Sequence, residues 1–63
     1  MTPVQTKMQI ARDALLRAET ELKTAEKWLR EAGQPATAGL YVQPARDHVG
    51  AAVAVCERFT GER

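Results

Sequence analysis

The stretch Val4 to Ala32, VQTKMQIARDALLRAETELKTAEKWLREA, decides the fold. Met8, Leu15, Leu22 and Leu29 recur every seven residues, and Ala11, Ala18, Ala25 and Ala32 each follow three residues later. With Val4 in front, the apolar spacing alternates 4 and 3 to the end of the stretch. That is the period of a helix pressed against a partner helix along one narrow stripe. A methyl-sized knob at every second seam position lets two backbones approach more closely than leucine would. The pattern describes architecture and association rather than chemistry.

Both ends of this helix are marked. Thr2 suits an N-cap, Pro3 suits the first helical position, and Gln5 completes a capping box three residues after the cap. Gly33 stands where a C-terminal glycine stop belongs. The first helix is therefore expected over about 3–32, rising ~45 Å. Its remaining surface carries Asp13/Arg17, Glu19/Lys23 and Glu26/Arg30, acid-first pairs four residues apart that suit a solvated face.

Residues 33–43, GQPATAGLYVQ, read as a loop, because two glycines and Pro35 break any long period. Leu40, Tyr41 and Val42 are expected to fold back onto Trp28 and Leu29 and close the hairpin end. Core packing is thus the reading for Trp28 and Tyr41, with an aromatic binding surface as the alternative. A second, shorter helix is expected over about 44–59, with Pro44 at its first position and its end before Gly61. Ala45, Val49, Ala52, Cys56 and Phe59 continue the seam, and Val53 joins them in the core. No residue from Val49 to Cys56 is polar, which predicts burial all round.

The fold class that follows is all-α: an antiparallel helical hairpin of long helix, loop and shorter helix. At ~24 Å the second helix would cover about half of the first. Apolar stripes would then be left on both helices, and such surfaces mark interfaces. Assembly into a homo-oligomeric helical bundle is expected, through Met8, Ala11, Leu15, Ala18, Leu22, Ala25 and Leu29 with Val49, Ala52, Val53, Cys56 and Phe59. A single domain of 63 residues is marginal alone, which points the same way.

Composition excludes more than it assigns. One cysteine rules out an internal disulfide and suits a reducing cytoplasm. A net charge of +1 shows no broad basic footprint, so nucleic acid is an allowed but unfavoured partner. No signal-peptide pattern follows Met1, and the longest apolar run, Val49 to Cys56, is far short of the ~20 residues that span a bilayer. A cytoplasmic location without membrane contact is expected. There is no serine nucleophile, no glycine-rich phosphate loop and no Cys-x-x-Cys. His48 and Cys56 lie ~12 Å apart along one helix, beyond the reach of a nucleophile pair. No enzyme, metal or cofactor is expected, and Cys56 reads as a small buried hydrophobe.

Binding is the better expectation. Arg46, His48, Arg58 and Arg63 lie on or after the second helix, while Lys23, Lys27 and Arg30 line part of the first. Repeated by symmetry, such groups build an anion site from a nearly neutral subunit. Trp28, Tyr41, Arg46, His48 and Arg58 are the candidate ligand or partner contacts.

Two resemblances add to this. The leucine–alanine seam is similar to the alanine-rich antiparallel coil of the plasmid Rop family, and implies a dimeric four-helix bundle that binds paired RNA loops. The spacing Thr20-x-Leu22-x-x-Ala25-x-x-Trp28 resembles the hairpin of small phage proteins that assemble into oligomers and sequester cyclic nucleotide signals. That resemblance implies a small anionic nucleotide or a host protein as partner and carries over no ligand residue. The expected function is a small, non-enzymatic, self-associating binding protein of the class of phage-encoded inhibitors acting against a host defence system. The alternatives are a Rop-like regulator or adaptor on RNA, DNA or protein, and a structural subunit of a larger assembly.

Overall fold

The computed structural model describes residues 2–60; Gly61 and Arg63, named above, lie outside the described residues. Helix α1 runs Pro3–Glu31, followed by a short turn, α2 (Pro35–Thr37), a π-helical segment (Ala38–Val42) and α3 (Gln43–Thr60). All of these elements are helical, and α1 and α3 pack as an antiparallel hairpin 47 Å long.

Local chemistry sets the helix ends as the sequence anticipates. The Gln5 N–H donates to the Thr2 hydroxyl at 3.1 Å, and the Thr2 N–H donates back to Gln5 Oε1 at 2.9 Å. At the other end Ala32 is the cap and Gly33 takes φ +80°, the left-handed conformation that glycine adopts without penalty. The Gly33 N–H donates to the Arg30 carbonyl and the Gln34 N–H to the Leu29 carbonyl, so two orphan acceptors are satisfied as the chain turns back.

The connector is much shorter than the expected loop over 33–43. Pro35 starts a new helical turn at once, and the chain stays helical to Thr60. Pro44, which seemed to start the second helix, lies inside it. A proline there has no N–H for the Leu40 carbonyl, and its ring would press on that carbonyl in an ordinary α turn. The preceding turn widens instead, with the Gln43 N–H donating to the Ala38 carbonyl five residues back. The second arm therefore nearly matches α1 in length, and the expected half-length overlap is corrected.

The core is small. Ala38 is fully buried, and Val53 and Cys56 nearly so. Met8, Leu15, Leu22 and Leu29 are half-buried, as are Val49 and Ala52. The other half of the α1 seam differs from expectation. Arg12, Glu19 and Glu26 are half-buried beside the leucine row, as are Ala11 and Ala18, whereas Ala25 and Ala32 are exposed. Two registers share those leucines, and the hairpin uses the one that also offers charge pairs to α3. Gly50 belongs to this contact: a β-carbon there would lie 3.5 Å from Glu19 Oε2.

Three further expectations are corrected. Trp28 and Tyr41 do not close the hairpin end, being 58% and 72% exposed; Ala38 is the residue buried there. Phe59 is also exposed. Burial around the whole Val49 to Cys56 run fails as well, since Ala51, Ala54 and Val55 face outward. A single neighbouring helix covers one face of α3 and no more.

Candidate functional site

The hairpin has two unlike sides. On one, charges bridge the helices: Arg12 Nε to Glu57 at 3.1 Å and Arg46 to Glu26 at 2.6 Å, with Arg30 joining Glu26 at 3.2 Å from the next turn of α1. Arg12 also approaches Asp13 at 3.5 Å. Of the three acid-first pairs expected along α1, Glu26/Arg30 forms as an ion pair. A hydrogen bond from Arg30, reinforced by Arg46, holds the Glu26 carboxyl below its usual range despite the desolvation that opposes it.

The same side carries an open cleft of about 430 Å³ lined by Lys23, Glu26, Lys27, Arg30, Glu31 and Arg46. Here the structure joins Arg46 to Lys23, Lys27 and Arg30, the cationic groups that the sequence places on separate helices. Glu26 already engages two of them, Arg30 and Arg46, and the two lysines have no ion-pair partner among the described residues. Lys27 Nζ stands 5.2 Å from the centre of the Trp28 ring. His48 and Arg58 are exposed and take no part in this cleft. The Thr20 hydroxyl, first in the phage-like spacing, donates to the Leu16 carbonyl of its own helix.

The other side is apolar. In an antiparallel pair, positions rotated in the same sense from the contact line fall on the same side of both helices, and the Arg12–Glu57 and Glu26–Arg46 pairs fix that sense. At about 100° per residue, the positions rotated the opposite way are Lys7, Ala11, Ala14, Ala18, Glu21, Ala25 and Trp28 on α1, while Ile10 and Arg17 point directly away from α3. On the second arm they are Tyr41, Ala45, His48, Ala52, Val55 and Phe59, spaced 4, 3, 4, 3 and 4. Trp28 is 58% exposed, and Val55 and Phe59 are exposed too. This second heptad on α3 was missed in the sequence because Phe59 and Ala52 fit the inner seam as well. The cross-helix partners Arg12, Glu26 and Glu57 were missed because their charge placed them on a solvated face. Their signal was present: Gln5, Arg12, Glu19 and Glu26 keep a heptad with the same leucines.

Among the described residues no three His, Cys, Asp or Glu side chains group as metal ligands, and no helix is long and apolar enough to cross a membrane. Cys56 is a buried free thiol, remote from the charged cleft. Comparison with known proteins found no matching family model, curated protein or solved structure.

Proposed function

We propose that this chain is a small non-enzymatic binding protein that works as a homo-oligomer, in the class of inhibitory or sequestering proteins. The observation that carries the reading is the apolar side, with large exposed side chains from Trp28 on α1 to Tyr41, Val55 and Phe59 on the second arm. A lone hairpin leaves this surface in water, at a cost near 25 cal/mol for each Å² that association would cover. The opposite side is already satisfied by ion pairs and stays outward in such an assembly. Its cleft then repeats by symmetry and offers Lys23 and Lys27 to an anionic ligand, a nucleotide or the acidic surface of a host protein.

Native mass spectrometry of protein purified without denaturation tests this reading. A homo-oligomer carrying a retained anionic mass, or a co-purifying acidic protein, is the expected result. RNA or DNA affinity that falls steeply with salt would replace it with the Rop-like regulator reading. A bare monomer would end it.

A further inference from the structure

On the apolar side, the outer rows of the two helices stand at matching heights. Arg12 is level with Glu57 and Glu19 with Gly50, and in an antiparallel pair each step up α1 is a step down α3. On that scale Ala14 is level with Val55, Glu21 with His48, and Trp28 with Tyr41. All six are exposed, and the two rows keep step from one end of the hairpin to the other. Nearer the contact line, Ala18 and Ala25 fall within one residue of the levels of Ala52 and Ala45.

We infer that a second copy of this chain docks on the apolar side about a two-fold axis running along the hairpin, with α1 antiparallel on the partner's α3. This rests on the self-association proposed above and adds its geometry. A rotation about a lengthwise axis leaves every height unchanged, so each residue meets the partner residue at its own level. Trp28 then meets the partner's Tyr41, Glu21 the partner's His48 and Ala14 the partner's Val55. Deeper in, Ala18 meets the partner's Ala52 and Ala25 the partner's Ala45, methyl on methyl, where two backbones can approach closely. Among the described residues the side chains of Glu21 and His48 have no ion-pair partner in their own hairpin, unlike Arg12, Glu26, Arg46 and Glu57. An imidazole N–H donated to the carboxylate across the interface satisfies both. A two-fold crossing the helices stacks α1 on the partner's α1 and does less at each height that matches the rows. With the axis at Ala18, Glu21 falls on the partner's Ala14 and His48 on the partner's Val55. With the axis at Glu21, that acid meets its own copy. With the axis at Ala14, Glu21 reaches the partner's Lys7, but Trp28 and Tyr41 lie beyond the overlap and stay in water. The lengthwise axis covers both aromatics and gives both polar side chains a partner. Size agrees as well. A face of 47 by 16 Å offers about 750 Å² per copy, or about 1,500 Å² in total, within the range of specific interfaces.

Charge exchange and cross-linking test this axis. Glu21→Lys and His48→Glu should each weaken the dimer by about tenfold in sedimentation, since symmetry loses two such pairs at once, with helicity by circular dichroism retained. The double exchange should restore it, because Lys and Glu then face each other across the interface. In a Cys56→Ala background, Ala14→Cys and Val55→Cys chains mixed in equal amounts should form a covalent dimer on mild oxidation, and Ala18→Cys alone should not. A dimer in which the double exchange fails to rescue, the mixture fails to cross-link, or Ala18→Cys links to itself overturns the lengthwise axis while leaving self-association intact. A wild-type chain that stays monomeric overturns both.

Discussion

The two sides of the hairpin are built from one helix pair and solve different problems. On the charged side, Arg12, Glu26, Arg46 and Glu57 find partners within the chain, so that surface is complete in one copy. On the apolar side, Trp28, Tyr41, Val55 and Phe59 have none, and the chain leaves them in water. The contrast teaches that the leucine row alone does not choose a neighbour. Leucine at every seventh position packs either way, and the choice falls to the flanking row, polar on one side and alanine on the other. The intramolecular contact takes the polar flank because α3 presents Arg46, Gly50 and Glu57 to it. The alanine flank is left to the proposed self-association.

The widest separation between the sides should come from adding one charge to each. Val55→Glu or Phe59→Glu should shift the dissociation constant by at least a hundredfold, read by sedimentation at several concentrations. Lys23→Glu on the charged side should leave it within threefold. Equal effects from both sides would erase the distinction.

A second comparison sets the buried closure against the exposed aromatics beside it. Ala38→Leu should destabilise the hairpin by ~1–3 kcal/mol, since a fully buried methyl position has no space for a larger group. Tyr41→Leu, at an exposed position, should change the melting of the isolated hairpin little while weakening association. Thermal denaturation across a dilution series separates the two.

Gly50 supplies a smaller effect of opposite sign. A helix-interior glycine costs ~1 kcal/mol relative to alanine, and a methyl there would meet Glu19 at ordinary contact distance. Gly50→Ala should therefore raise stability by ~0.5–1 kcal/mol in chemical denaturation. A loss instead would mean the helices are closer at this level than the packing implies.

The smallest effects belong to the ion pairs themselves. Glu57→Gln should cost ~0.2–1 kcal/mol, the usual value for exposed pairs, and less in high salt. Glu26 has its pKa lowered by Arg30 and Arg46, so the stability it contributes is present above its ordinary value of 4.5 and is lost as pH falls through the depressed one. Glu26→Gln should flatten that acid limb in a pH series of unfolding curves. An unchanged limb would remove Glu26 from the account.

Much of this was legible in the sequence. Thr2, Pro3, Gln5 and Gly33 mark α1 to within a residue, because caps are local chemistry that no distant contact overrides. The all-helical hairpin followed from the leucine spacing. The connector was misread because Gly39 and Pro44 are breakers on average, and their tolerance here depends on a π turn that no period reveals. The cationic groups of the cleft were visible, but their convergence required knowing the register that brings Arg46 beside Glu26. Trp28 and Tyr41 were assigned to the core on hydrophobicity alone, whereas a two-helix molecule has room in its core for only one face of each helix.

Sedimentation equilibrium of the wild-type chain from low micromolar to millimolar concentration, run beside thermal melts at the same concentrations, tests the central claim most directly. The account predicts a species of twice the 6.9 kDa chain mass and a melting temperature that climbs with concentration. A 6.9 kDa species throughout, melting cooperatively at one temperature, would contradict it.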